Sequence, residues 1–394
     1  MVIQYILLFI FLLVILFLLW IKIKYRFWSI QPVFHFYDFY YWIYNIGIIR
    51  HELPEKNRYT NFKSIKTFEI QSITNKCLQE ILVLIQLNYF RNGQNKFIPK
   101  KENFIPYFKG HFDKTFCSIY LKDIPMIHNK TNDTFIEKQV IGVITSRPLH
   151  VQIQNKYSKQ VNKFDVYYVD YLCVNKSYRK KGIAPELIQT HEYIQSHSNR
   201  NICVSLFKRE EELTGIIPLT VYKTYCFKLK HNISTYSNLK YTLLTGDKQN
   251  LYYFYNFLKE QHTFDILIYP EISNIIELVQ TNNISVKMLM DKHNILAVYV
   301  FRKTCLQIEK KNVISCIASI KSNYCEKDEF INGFRQCINE FSNKYGYVTI
   351  ENISHNNLLV HCLNLNPIVI SPMAYFFYNF AYSPFISEKC LIIN

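Results

Sequence analysis

Glycine is scarce in this chain, with 9 in 394 residues against 31 Tyr and 30 Phe. The excess of Ile, Asn, Lys, Tyr and Phe over glycine reads as a coding bias, not a functional choice. The 11 cysteines contain no C-x-x-C pair and no repeated spacing, so neither a zinc site nor a disulfide framework is indicated. Such thiols behave as small buried hydrophobes in a reducing compartment. No repeat of twenty to fifty residues is present, which argues against a solenoid. Acids are few, 30 against 46 Lys and Arg, giving a net charge of +16. The cations are dispersed, with no arginine-rich stripe or nucleic-acid motif, so nucleic acid is not an expected partner. Sequons such as those at Asn175, Asn232 and Asn352 are expected by chance in so asparagine-rich a chain and do not argue for secretion.

Apolar residues make up 49% of the chain and supply ample core for two domains of ordinary size. Residues 2–20 contain one polar side chain, Gln4. At about 1.5 Å per residue this run spans roughly 28 Å, near the hydrocarbon thickness of a bilayer. A cleaved signal needs a basic start and small residues at its end, and here bulky Leu19, Trp20 and Ile21 close the run. Lys22, Lys24 and Arg26 follow at once. The expectation is a single-pass membrane anchor over 1–23 with the body in the cytosol. Beyond it, the pattern predicts strands at 137–145, 166–174, 264–269 and 294–302, and helices at 184–197 and 327–343: an α+β mixture.

The stretch 169–188 is the most informative. Tyr171 to Val174 reads as a buried strand, residues 178–182 as a basic turn, and a helix opens near Pro185. Proline suits a first helical turn because its missing N–H would be unpaired there anyway. A strand feeding a glycine turn that opens a helix aims backbone N–H groups and the positive helix end at an anion, and Arg179, Lys180 and Lys181 sit in that turn. The Arg-x-x-Gly-x-Ala pattern of Arg179, Gly182 and Ala184 resembles the coenzyme A loop of GNAT acyltransferases.

The neighbourhood narrows the resemblance. Leu172, Cys173, Val174, Lys176, Arg179, Lys181, Ala184, Pro185, Leu187 and Ile188 fall in the order and spacing seen in N-myristoyltransferases. Phe27, Trp28, Gln31, Pro32 and Val33 resemble that family's aromatic segment beside the acyl-CoA, Gly142 to Pro148 its Gly-Phe-Ile-Ser-x-x-Pro strand, and residues 375–394 its apolar end. The resemblance implies two GNAT-like halves in tandem, placed here at 24–230 (acyl-CoA) and 231–394 (peptide and chain end). It implies myristoyl-CoA as co-substrate, proteins with an N-terminal glycine as acceptors, and no metal or redox cofactor. Carried over residue by residue, acyl-CoA binding falls to Tyr25, Arg26, Phe27, Trp28, Tyr171, Leu172, Cys173, Val174, Arg179, Lys180, Lys181, Gly182, Ile183 and Ala184. Peptide binding falls to Phe97, Thr214, Gly215 and Tyr375. The main-chain N–H groups of Tyr171 and Leu172 would hold the oxyanion, and the carboxylate of Asn394 would be the base.

The peptide half departs from the family pattern. Where an acidic run follows the Asn-Tyr pair, this chain has Asn88, Tyr89 and Phe90 leading into Arg91 and Lys96 without an acid. Tyr225 to Lys228 and Ile370 to Met373 replace two further family segments. A non-catalytic acyl-CoA- or lipopeptide-binding relative and a GNAT N-acetyltransferase therefore stand as alternatives to a myristoyltransferase.

Overall fold

A computed structural model describes residues 2–44, 47–90, 95–127, 134–154, 161–210, 215–229, 233–235, 241–360 and 366–394. Arg91 and Thr214, both singled out by the sequence, lie outside the described residues. The apolar run forms a helix, Val2–Lys24, exposed along nearly its whole length and long and apolar enough to cross a bilayer. Its buried residue, Ile21, packs near Gly215 and so fixes the helix end to the body.

Behind the helix the chain builds one extended, twisted sheet. Among the described residues its order runs Cys390–Ile392, Ile266–Tyr269, Thr134–Gln154, Val161–Val174, Val204–Glu210, Val369–Tyr378, Thr220–Lys228, Tyr347–Glu351, Lys311–Lys321, Asn294–Ile308, Ile284–Asp291, Thr242–Thr245. One unit occurs twice. The antiparallel pair Thr134–Gln154 and Val161–Val174 passes through helix Ile183–Ser198 to the parallel strand Val204–Glu210. Likewise, Asn294–Ile308 and Lys311–Lys321 pass through helix Lys327–Phe341 to the parallel strand Tyr347–Glu351. The halves interleave, because strand Val369–Tyr378 lies between Val204–Glu210 and Thr220–Lys228, and Cys390–Ile392 reaches the far edge beside Ile266–Tyr269.

Thr134–Gln154 is covered on both faces, and an extra residue at Ile141, where its pairing with Phe116–Ile127 shifts register, interrupts the strict alternation. Val140 and Val143 join the core with Ile81, Leu82 and Ile85 of helix Asn75–Asn88. Ile141 and Ile144 join Ile183 and Leu187 of the crossover helix. With both faces covered, the stretch reads as continuously apolar, as strands covered on two sides do. Gly142 is needed here, since a Cβ would stand 2.8 Å from Leu187 Cδ1. The charged member of this buried stretch is Arg147, whose side chain is 0% exposed. Its Nε donates to Asp170 Oδ2 at 2.5 Å, and its guanidinium lies 5.4 Å from the ring centroids of Tyr107 and Tyr168.

Removing one partner of a buried pair leaves an uncompensated charge, typically a loss of about 3–5 kcal/mol. Asp170→Ala should therefore destabilise the protein by that order in urea denaturation. The double replacement Arg147→Met, Asp170→Leu should recover most of it.

Candidate active site

The site begins with a single extra residue. Along Val161–Val174 the register against Thr134–Gln154 shifts between the pairs Ser146↔Val169 and Ile144↔Leu172, so Asp170 and Tyr171 together oppose Thr145. Such a bulge bends the strand and re-aims its groups. The parallel pairing with Val204–Glu210 runs from Val166 to Val169 and stops at the bulge. Past this point the two strands part. Asn175 N–H bonds Ile141 O, which fixes the alternation of ladder pairs and puts Leu172 in a non-hydrogen-bonded pair with Ile144. Leu172 N–H therefore faces away from Thr134–Gln154, towards the opening, and the residue is 40% exposed. Tyr171 N–H, in contrast, donates to Thr145 Oγ1 at 3.2 Å. Of the two expected oxyanion donors, Leu172 is free to serve as it stands, whereas Tyr171 must exchange a partner.

Five residues further on, the chain enters the basic turn. Asn175 Oδ1 accepts from Ser177 N–H at 3.0 Å, Lys180 takes φ +63° and Gly182 φ +82°, and helix Ile183–Ser198 starts at once. No side chain caps that helix start, and Lys180, Lys181 and Gly182 are exposed around it. The first-turn N–H groups and the exposed Lys180 and Lys181, the latter with its ammonium 5.1 Å from the Tyr178 ring centroid, thus meet at solvent, a ready anion site. Arg179 behaves differently from its neighbours. It bonds Val174 O at 3.2 Å and Asn88 O, while Asn88 Oδ1 accepts Lys176 N–H at 2.9 Å. Asn88, buried at the end of its helix, is therefore the residue that shapes the turn. Sequence reasoning quoted it only as part of an Asn-Tyr pair.

Between bulge, turn and second half lies a cleft of about 830 Å³. Of the sequence-predicted acyl-CoA residues it brings together Phe27, Trp28, Tyr171, Leu172, Cys173, Val174, Arg179 and Ala184. Trp28 stacks on Phe207 with centroids 5.6 Å apart, and its carbonyl meets His35 Nε2 at 2.9 Å, which docks the aromatic segment on the sheet. Tyr25, Arg26, Lys180, Lys181, Gly182 and Ile183 stand outside the lining. Of the peptide-side residues, Phe97 lines the cleft and stacks on Tyr89 at 4.7 Å. Gly215 instead packs against Phe36 and Ile21, away from it. Tyr375 and Asn394 lie just beneath: Asn394 is 2% exposed and donates from Nδ2 to the Tyr375 hydroxyl at 3.1 Å. Tyr375 stacks on Tyr222 at 5.8 Å, and Tyr222 donates to cleft-lining Glu351 at 2.6 Å.

A polar chain that sequence reasoning missed runs under the crossover helix. Ser118 Oγ and His191 Nδ1 are 2.7 Å apart, His191 Nε2 and Ser146 Oγ 2.9 Å, and Ser146 donates to Gln195 Oε1 at 2.5 Å. Gln195 Nε2 reaches Glu192, which also accepts from Ser196 and Ser205 at 3.1 Å. Burial lowers the His191 pKa to about 3, so this imidazole is neutral. Burial likewise raises Glu192 from 4.5 to about 7, against the lowering effect of its two serine donors. Among the described residues no His, Cys, Asp and Glu cluster could hold a metal.

A hairpin, a bulge where two parallel strands part, and a basic turn opening the crossover helix define a GNAT-like acyltransferase fold of mixed α and β structure, here preceded by one apolar helix. Residues 49–217 match the family described as Myristoyl-CoA:protein N-myristoyltransferase, N-terminal domain. A protein of Amsacta moorei entomopoxvirus assigned as a glycylpeptide N-tetradecanoyltransferase is 23% identical over 227 residues, covering 56% of this chain and 68% of its own. Saccharomyces cerevisiae N-myristoyltransferase with bound myristoyl-CoA superposes with a TM-score of 0.70 at 14% identity over 92% of this chain and 94% of that one. The same yeast enzyme with myristoyl-CoA and inhibitors gives 0.71 at 14% identity, over 95% and 93%. Over residues 49–217 the chain thus resembles N-myristoyltransferases in sequence, and over nearly its whole length it shares their fold.

Glu192 makes stability depend on pH. Its folded pKa of about 7 lies above the unfolded 4.5, so between these values the folded state binds more protons, and stability falls as pH rises through that window. The expected loss between pH 4.5 and 8 is on the order of 3 kcal/mol. Buried neutral His191 gives the opposite slope below pH 6.5, so the Glu192 contribution is read as a difference: native stability minus that of Glu192→Gln, by urea titration, should fall by that amount between pH 4.5 and 8.

Proposed function

We propose that this protein is a membrane-anchored N-myristoyltransferase that moves a myristoyl group from myristoyl-CoA to the N-terminal glycine amine of proteins. The observation that carries this reading is the bulge at Asp170 and Tyr171, which opens a backbone donor onto the same cleft that the basic turn and the aromatic segment border. Coenzyme A phosphates would sit at the start of helix Ile183–Ser198 with Lys180 and Lys181. The acyl chain would lie along Trp28, Phe207, Ile144 and Ile188, all lining the cleft. About twelve methylenes at roughly 0.8 kcal/mol each make on the order of 10 kcal/mol available from its burial.

Transfer would proceed by direct attack. The amine nitrogen bonds to the thioester carbonyl carbon, the carbonyl electrons move to oxygen, and Leu172 N–H holds the resulting oxyanion, with Tyr171 N–H joining if it leaves Thr145. Collapse expels coenzyme A as its thiolate and leaves the amide. The charged amine loses one proton before it attacks, and its nitrogen a second as the amide forms, which the departing thiolate can take up. An α-amine has a pKa of about 7.7–8.0 and is mostly charged at neutral pH, whereas an α-carboxyl, at about 3.3–3.7, is ionised and can accept a proton. With Asn394 as the last residue, its α-carboxylate is the proposed acceptor, supported by the burial of Cys390 to Asn394 beside the cleft floor. A residue appended after Asn394 should lower the chemical step by about 10²- to 10⁴-fold, while Asn394→Ala, which keeps the carboxylate, should stay active. Single-turnover assays with labelled myristoyl-CoA and glycine-ended peptides read both. Full turnover in the extended protein removes the carboxylate from the mechanism, and acyl-CoA binding without transfer to any peptide identifies a binding-only relative.

The anchor reading has support beyond the helix itself. Phe36 meets Phe17 at 6.2 Å, and Phe17 lies about 10 Å of helix above Lys24, so the segment after residue 33 doubles back along the helix. Phe39 (75% exposed), Tyr40, Trp42, Ile43 and Tyr44 project around it uncovered. Aromatic residues of this kind favour the headgroup region. The helix would cross the bilayer with this collar in the interface and the body on the cytosolic side. In vesicles, Trp42 fluorescence, with Trp20 and Trp28 replaced by Phe, should be quenched by lipids labelled near the headgroup. Extraction of the native protein by alkaline carbonate would contradict the anchor, whereas an unquenched Trp42 in a carbonate-resistant protein would contradict only the collar.

A further inference from the structure

The acids and cations of the cleft are largely matched. Asp170 pairs with Arg147, and Glu351 accepts from Lys208 at both oxygens, 2.8 Å each, and from the Tyr222 hydroxyl. Arg302 is the exception. It lines the cleft, its Nε and Nη2 are sealed from solvent without a hydrogen-bond acceptor, and among the described residues no carboxylate lies within ion-pair distance of it. Its guanidinium stands 5.3 Å from the Tyr107 ring, which Arg147 approaches at 5.4 Å. The Tyr107 hydroxyl and Arg147 Nη1 also lack acceptors. Four buried donor atoms without acceptors are thus concentrated in three neighbouring side chains at one wall of the cleft.

A guanidinium cannot relieve its burial by losing a proton, and an uncompensated buried charge is strongly unfavourable. Arg302 is half-buried with two sealed nitrogens, and Asp170, the acid that acts on it, is already paired with Arg147, so an anion occupying the cleft would complete its contacts. The phosphates of coenzyme A have their own cations at the turn. Tyr168 and Asp170, the strand neighbours that share Arg302's electrostatic environment, lie at the bulge, ahead of the strand end at Val174 and of the turn that begins at Lys176. A saturated acyl chain carries no charge at all. The remaining occupant is the acceptor peptide, and Asp170 adjoins the donors at the bulge, so the contact falls near the peptide's reacting end.

We propose that Arg302 binds a carboxylate side chain within the first few residues of the acceptor peptide, and so selects acidic acceptors. The proposal rests on the peptide-acylation reading above. It places on Arg302 the preference for acids that the exchange of an acidic run for Arg91 and Lys96 suggests on sequence grounds. A charge-assisted guanidinium–carboxylate contact is stronger and more directional than its neutral counterpart.

The test uses the full chain in detergent with glycine-ended peptides matched in pairs, Asp against Asn and Glu against Gln, at each of the second to fifth positions. At one position the acid should exceed its amide by about ten- to a hundred-fold in kcat/KM, mainly through KM. Arg302→Gln should bring that ratio to about one, Arg302→Lys should keep part of it, and both should bind myristoyl-CoA as the native protein does. If native turnover shows no acid preference at any position, or if the preference survives in Arg302→Gln, the proposal is overturned and peptide acylation stands. If no peptide is acylated, peptide affinity in the presence of a non-transferable thioether analogue of myristoyl-CoA decides it by the same ratios, and the acylation reading alone is lost.

Discussion

One unpaired register step governs the rest of the molecule. Because Asp170 and Tyr171 share a single opposite residue, strand Val161–Val174 turns away from Val204–Glu210 after Val169. The parting exposes Leu172 N–H, makes room for a chain between the strands, and swings the following turn towards solvent. The bulge is held by interactions that give little: Thr145 against Tyr171 N–H on one side, and Arg147 against Asp170 on the other. Arg147 is wholly enclosed, so Asp170 has one permitted place, and with it the bulge. A structural ion pair in the core thereby positions a backbone amide in the cleft.

The second constraint is the interleaving of the repeated units. Were the halves separate bodies, the cleft between them could open and close freely. Instead, strand Val369–Tyr378 is hydrogen-bonded to a strand on each side, and one apolar cluster draws on Val143, Ile317 and Leu391 together. Arg302, from the second unit, and Asp170, from the first, hence face one another across a wall that both units build. The proposed acceptor contact and the proposed oxyanion donor would then belong to one hydrogen-bonded frame.

The sequence made the strand–turn–helix core legible because its residues are contiguous: an apolar run, a basic turn with a glycine at φ +82°, and a helix that begins at Ile183, close to the expected 184. The expected strands at 137–145 and 166–174 fall within Thr134–Gln154 and Val161–Val174, and the apolar helix runs Val2–Lys24 against an expected 2–20. What escaped was built from residues far apart in sequence. Nothing in the neighbours of Asn88 announces that it will hold a turn ninety residues on. Nor does a solitary Glu192 on a helix differ, by pattern, from a solvated one. Arg147 did carry a signal, a cation between the apolar stretches Val140 to Ile144 and Pro148 to Leu149, but its meaning required knowing that Asp170 would face it. Arg302 sits where a strand passes from buried to half-buried residues, and there a charge is unremarkable by pattern alone.

The position of Cys390–Ile392 also has a bearing on how the protein is made. The neighbouring strand Ile266–Tyr269 pairs with Thr134–Gln154 on one side, and its other edge is closed by residues synthesised more than a hundred positions later. At about 5–20 residues per second, roughly five to twenty-five seconds separate the two. Throughout that interval the nascent chain displays an open apolar strand edge, the kind of surface that recruits foreign strands. In the anchored reading proposed above, the chain would spend that interval with its apolar helix already at a lipid surface, which restricts the directions from which another strand can approach. The proposed anchor would then bear on biogenesis as well as location, while the edge waits for residues 390–392 to seal it.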